Sequence, residues 1–192
     1  KLYINGEWIE TNASVTNVSP SDTSDVIGHY AQASTEQVEA AITSANAAVI
    51  EWGQSALETR YAALMEIGNE LIARSGELGE LLAREEGKTR AEGVGEVYRS
   101  GQFFHYFAGE VHRQIDDRAE SVRPGIEIDT RREPVGVVAI ISPWNFPMAT
   151  AVWKIAPALA FGNAVIFKPA NLVPASAWAL TEIISRQGAL PA

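Results

Sequence analysis

The chain has 192 residues and no cysteine, so it can form no disulfide and supplies no thiol nucleophile. Its formal charge of −9 argues against nucleic acid as a partner, because that binding rests on clustered Lys and Arg, but it leaves room for a local positive pocket. No apolar run of about 18 residues occurs, so no membrane partner is expected; no signal peptide is visible, and a cytoplasmic location is the default expectation.

Leu2-Tyr3-Ile4-Asn5-Gly6-Glu7-Trp8-Ile9 sets Asn-Gly between apolar residues and predicts a hairpin, since both turn residues tolerate positive φ. Residues 26–31 predict a strand after the turn-rich Ser19-Pro20-Ser21-Asp22. Ser34 and Gln37 form a candidate capping box, and Val38, Ala41, Ile42, Ala45, Val49 and Trp52 then share one helical face. Further helices are predicted over 59–73, from Glu77 to about Gly87, and over 90–108. Their apolar stripes read as packing between helices. Phe103, Phe104 and Phe107 are also candidates to touch a substrate.

Ile126 and Ile128 alternate with Glu127 and Asp129, as in an antiparallel strand with one wet face that continues through Glu133 and ends at Pro134. Such a hairpin either reaches a partner subunit or forms a surface loop. Residues 135–141 are continuously apolar, which predicts a strand covered on both faces. A helix over 149–160 ending at Gly162, a strand over 164–167 and a helix over 175–186 closed by Gly188 complete a βαβα series. The fold class is therefore α/β: part of a doubly wound, Rossmann-like parallel sheet, preceded by a helical region and an antiparallel hairpin. The divisions expected are 1–114, 115–134 and 135–192. A doubly wound sheet normally has five or more strands, so a third strand is expected where the sequence stops, and the chain reads as a fragment of a larger fold.

Between the first parallel strand and its helix stands Ser142-Pro143-Trp144-Asn145-Phe146-Pro147, a side-chain amide held between prolines. Open α/β sheets bind ligands at this end of their strands. Asn145 and Lys168 are expected on the same rim, facing a shared crevice. On the residues alone, Asn145 also reads as a turn-capping amide, Trp144 as core filling and Lys168 as a solvated strand end. Lys154 lies within an apolar helix, where a buried ammonium needs partners: an ion pair, a carbonyl, or a role in relaying protons. His29, His105 and His112 have no ligand-like spacing, so no metal site is expected. Glu85-Glu86 and Asp116-Asp117 read as solvated faces.

Pro143-Trp144-Asn145-Phe146-Pro147, Trp153-Lys154, Pro157-Ala158-Leu159-Ala160, Gly162-Asn163 and Lys168-Pro169-Ala170, in this order and spacing, resemble the aldehyde dehydrogenase superfamily. Tyr3-Ile4-Asn5-Gly6-Glu7-Trp8 and Glu86-Gly87-Lys88 extend the likeness over essentially the whole chain. Trp153-Lys154-Ile155-Ala156-Pro157 combined with Lys168-Pro169-Ala170 further resembles the semialdehyde-oxidising branch, including the enzymes acting on 2-oxoglutarate semialdehyde (2,5-dioxovalerate) and succinate semialdehyde.

The resemblance implies NAD(P)-dependent oxidation of an aldehyde to a carboxylate. A Cys thiolate attacks the carbonyl and a Glu activates water; both are expected beyond residue 192, so the chain alone is expected to be inactive. Asn145 is the implied catalytic donor to the oxyanion. Ile141, Ser142, Pro143, Trp144 and Asn145 are implied at the nicotinamide end, with Ile166 as a wall. Lys168, Pro169, Ala170 and Asn171 are implied at the adenosine ribose. Many NAD-preferring relatives carry Glu where Asn171 stands, so use of NADP, or of both NADP and NAD, is expected. The hairpin near 125–132 resembles the family's assembly hairpin and implies a homo-oligomer, a dimer or tetramer. Two other readings are a noncatalytic structural relative of the same fold and an unrelated nucleotide-binding protein. The second is disfavoured because neither G-x-x-x-x-G-K nor G-x-G-x-x-G occurs.

Overall fold

The computed structural model describes residues 1–113 and 116–191; the expected division at 114/115 lies outside the described residues. Asn5 and Gly6 turn the chain at φ 54° and 76°, joining β1 (Leu2–Ile4) to β2 (Glu7–Ile9), as the Asn-Gly pair predicts. A second antiparallel pair is β3 (Ala13–Val18) with β4 (Val26–Gln32). The strand at 26–31 matches β4. β3 has no counterpart among the expectations: its apolar alternation, Ala13 and Val15, is brief, and its one buried residue is the polar Asn17.

Four helices follow: α1 (Thr35–Gly53), α2 (Leu57–Ala73), α3 (Ser75–Glu86) and α4 (Arg90–Val111). The Ser34–Gln37 capping box starts α1 as expected, and a second box, Thr89–Glu92, starts α4. Gly87 ends α3 at φ 83°. Leu64, Ile67, Leu71, Leu82, Val97 and Phe104 form a core with little or no exposure. The α1 stripe is a partial correction: Ala45 and Trp52 are buried, whereas Val38 and Ile42 are exposed.

β5 (Asp117–Glu120) and β6 (Glu127–Thr130) form the expected hairpin, with Arg118 paired to Glu127 across it. The strand ends at Thr130 rather than Glu133, and both of its faces are exposed within this chain, so the one-face-wet reading does not hold here.

β7 (Val137–Ile141) pairs in parallel with β8 (Ala164–Lys168) through α5 (Ala149–Ala160), and α6 (Pro174–Ser185) follows. The βαβα order is as expected. The coverage of β7 is not: Ile140 is buried, but Ile141 is 73% exposed and Val135, outside the strand, 86%. An apolar strand reads the same in sequence whether its second cover lies in the same chain or elsewhere. Gly162, at φ 79°, ends α5 as expected. Gly188 does not cap α6: the helix closes at Arg186, and Gly188 has no positive φ.

Both ends of α5 are held by side chains from the helical region. Glu96 on α4 accepts the backbone N–H groups of Met148 and Ala149, each at 3.0 Å. At the other end Trp52 Nε1 donates to the Leu159 carbonyl at 2.9 Å and the buried Arg60 donates to the Ala160 carbonyl at 3.2 Å. An anion at the helix start and a cation at its end both complement the helix dipole. Glu85 on α3 does the same for α6, accepting from Ala175 N, Ser176 N and Ser176 Oγ at 2.5, 2.9 and 2.6 Å.

That contact corrects the reading of Glu85-Glu86 as a solvated face. Glu85 is buried, and Glu86 pairs with Lys88 at 2.6 Å. Asp116 and Asp117 are exposed, as expected.

Candidate functional site

The turn after β7 is fixed mainly through its backbone. The Phe146 carbonyl accepts from Thr150 N and Oγ1 at 3.0 and 2.7 Å, and Ser142 N donates to the Lys168 carbonyl at 3.4 Å. Lys88 Nζ binds Glu96 Oε2 at 2.7 Å, reaches the Asn145 carbonyl at 3.4 Å and lies 4.4 Å above the Phe146 ring. Such a cation over an aromatic face is attractive. Burial disfavours the Lys88 ammonium, but its contacts with Glu86 and Glu96 outweigh that and hold its pKa above the ordinary lysine value. One cation serves two carboxylates, and burial leaves Glu86 above its own usual range.

The Asn145 side chain is exposed and makes no hydrogen bond among the described residues, so its amide does not cap the turn. It lines a cavity of about 480 Å³ with Glu86, Lys88, Glu92, Glu96, Arg99, Phe146, Ala149 and Trp153. That volume lies in the roughly 300–1,000 Å³ range of ligand pockets. Glu92 is engaged at its own helix start, by Thr89 N and Oγ1. Trp153 is 49% exposed and packs edge-on against Phe103, ring centroids 5.6 Å apart. Sequence reasoning missed Glu96, Lys88 and Arg99, whose roles depend on contacts between distant segments. The resemblance at Glu86-Gly87-Lys88 was the one signal pointing there.

Lys168 and Asn171 lie on a different cavity, about 820 Å³, between α1, β8 and α6, with Ile166, Pro169 and Ala170 also on its wall. Lys168 Nζ donates to Asn171 Oδ1 at 2.8 Å. Asn145 and Lys168 thus do not share one crevice, which corrects the expectation. Ile141 is the parallel partner of Lys168, so the two turns are neighbours, yet the amide and the ammonium line separate cavities. Ile141, Ser142, Pro143 and Trp144 lie outside both cavities. Trp144 is 53% exposed and so does not fill the core. Ser142 is buried, and its hydroxyl has no partner among the described residues.

The ammonium and amide at Lys168 and Asn171, beside apolar wall residues, suit a ribose or an added phosphate rather than a cationic group. The start of α6 is closed to phosphate, because Glu85 already takes its N–H groups.

Lys154 is exposed and donates to the Thr150 carbonyl at 2.8 Å, so it is not the buried ammonium expected. Phe104 is buried in the core; Phe103 is not on the smaller cavity's wall but packs on Trp153, which is, and Phe107 packs on Tyr106. His29 pairs with Thr16, His105 with Asn69, and His112 sits 3.8 Å from Glu58. Among the described residues no group of three or more His, Cys, Asp or Glu could hold a metal, and no helix is long and apolar enough to cross a membrane.

A family model described as "Aldehyde dehydrogenase family" matches residues 8–192. The chain belongs to the aldehyde dehydrogenase family. Among its relatives, an alpha-ketoglutarate semialdehyde dehydrogenase of Haloferax volcanii is 41% identical over 176 residues, 91% of this chain and 36% of the relative. A succinate-semialdehyde dehydrogenase [NADP(+)] of Escherichia coli K12 is 35% identical over 193 residues, 98% of this chain and 39% of the relative. The crystal structure of an aldehyde dehydrogenase from Brucella melitensis superposes with a TM-score of 0.95 at 34% identity, covering 98% of this chain and 39% of that one. The chain thus spans somewhat over a third of the length of the aldehyde dehydrogenases it matches.

Proposed function

We propose that this chain is the part of an NAD(P)-dependent aldehyde dehydrogenase that binds cofactor and presents the oxyanion donor, and that the enzyme oxidises an acid semialdehyde to a dicarboxylate. The observation that carries the reading is Asn145: an uncommitted amide on a cavity, its turn pinned by Lys88 and by the Glu96-capped start of α5. The nucleophile must come from outside these residues, since the chain has no cysteine. When a thiolate adds to an aldehyde, an S–C bond forms and the carbonyl π pair moves onto oxygen. The Asn145 Nδ2–H group donates to that oxygen as its charge grows, in the thiohemiacetal. An amide is suited to this because it neither titrates nor reacts. Loss of one such donor costs about 10²–10³ in rate.

NAD(P)+, when bound, supplies the hydride acceptor. Lys168 and Asn171 would hold its adenosine ribose, with Pro169 and Ala170 shaping the turn, and residues 141–144 would form the rim towards Asn145. A neutral Asn171 already tied to Lys168 leaves no negative charge to repel a 2′-phosphate, which favours NADP or dual use. The acid-semialdehyde names of the two relatives support the substrate class. The exposed β5–β6 hairpin is the proposed contact between copies in a homo-oligomer.

The test is reduced-cofactor formation, followed by absorbance, in the intact enzyme containing this chain, with ω-oxo acids of four and five carbons and with NADP+ or NAD+. Turnover to the dicarboxylate is the expected result. Failure to reduce either cofactor with any aldehyde overturns the proposal.

A further inference from the structure

Glu92, Glu96, Arg99 and Phe103 follow one another on α4 in steps of four, three and four residues, so they form a single stripe. The stripe faces α5. Glu96 binds Ala149 N, and Phe103 packs on Trp153 one turn further along α5. Arg99 stands between these two contacts and lines the same cavity as Asn145.

The cavity holds five charged side chains, and four of them are committed. Lys88 is shared by Glu86 and Glu96, and Glu92 is bound by Thr89. Arg99 has no carboxylate partner among the described residues. Its guanidinium donates to the neutral Gln102 Oε1 at 3.3 Å. A planar guanidinium matches a carboxylate with two parallel hydrogen bonds, which a lone ammonium does not do.

We propose that Arg99 determines specificity by pairing with the carboxylate of an ω-oxo acid whose carbonyl reacts beside Asn145. This rests on the substrate class proposed above. Arg99 takes no part in bond making: it fixes the remote end of the substrate, so the binding energy of a non-reacting group is used to orient the reacting one. A neutral aldehyde of the same length offers the guanidinium nothing, and the cation stays with water and Gln102.

The experiment compares the intact enzyme with Arg99→Met and Arg99→Lys. It measures kcat/KM for a five-carbon ω-oxo acid and for the n-alkanal of equal length, and reads their ratio. The acid-to-alkanal ratio is expected to fall at least about tenfold in Arg99→Met and to recover in part in Arg99→Lys, the loss lying mainly in KM for the acid. Alkanal turnover in each preparation reports that the variant is folded. A ratio unchanged in Arg99→Met, in an enzyme that otherwise prefers the ω-oxo acid, overturns the role of Arg99 alone. An unmodified enzyme that prefers the n-alkanal overturns the substrate class and the role of Arg99 together.

Discussion

Glu96 and Met148, 52 positions apart, are joined by a 3.0 Å hydrogen bond from the Met148 backbone N–H to Glu96 Oε1, and the same carboxylate holds Lys88 through its other oxygen. One buried side chain thus ties the helical region to the start of α5 and to the turn that carries Asn145. Replacing Glu96 by Ala leaves two N–H groups without their acceptor and the Lys88 ammonium with Glu86 as its one remaining carboxylate. In the intact protein this is expected to cost about 3–5 kcal/mol. Glu96→Gln keeps an acceptor for the N–H groups and is expected to cost less, about 1–3 kcal/mol. Denaturant midpoints of the two variants check the order.

Glu85 gives a pH dependence. Burial raises its pKa above the ordinary glutamate value of 4.5, against the lowering effect of its bonds from Ser176 and Ala175. An acid with a raised folded pKa holds its proton more tightly when folded. Its contribution to stability is therefore present at low pH and falls as pH rises from about 4.5 through the folded value. The stability difference between the wild-type protein and Glu85→Gln is expected to shift against the wild type across that window. A difference that is flat with pH, in paired melts, counts against this account.

Helices α3 and α4 cross at a backbone contact. A Cβ on Gly93 would stand 2.3 Å from the Gly79 carbonyl oxygen, and one on Gly79 would stand 2.5 Å from Val94 backbone atoms. Neither neighbour is a flexible side-chain end, so the helices must part. Gly93→Ala is expected to destabilise by about 1–3 kcal/mol, despite the better helix propensity of Ala, as read by thermal or denaturant unfolding. Gly95→Ala, which has open space, serves as the control.

Much of this arrangement was legible in the sequence because its signals are local. Asn5-Gly6, the Ser34–Gln37 box and the glycines at 87 and 162 each act within a few residues, and all four behave as expected. Contacts between distant segments were not legible. Glu85 looks like any acidic helix residue until Ala175, 90 positions on, is laid against it. Lys154 looked buried because its neighbours in sequence are apolar, yet it sits on the outward face of α5. The two prolines and the amide at 143–147 identified the turn, but not which cavity the amide would line.

Asn171 tests the cofactor reading. Asn171→Glu places a carboxylate beside Lys168, now 2.8 Å from the amide oxygen. That carboxylate favours ribose hydroxyls and repels a 2′-phosphate. The ratio of kcat/KM for NADP+ to that for NAD+ is expected to fall at least about tenfold, or 1.4 kcal/mol. An unchanged ratio separates Asn171 from the cofactor.

The oxyanion role of Asn145 is tested most directly by single-turnover formation of reduced cofactor in the intact enzyme, which removes product release from the measured rate. Asn145→Ala is expected to slow that step by about 10²–10³ while leaving cofactor affinity near that of the wild type. A rate within about threefold of wild type would contradict the assignment, because a donor of this kind acts mainly in the transition state.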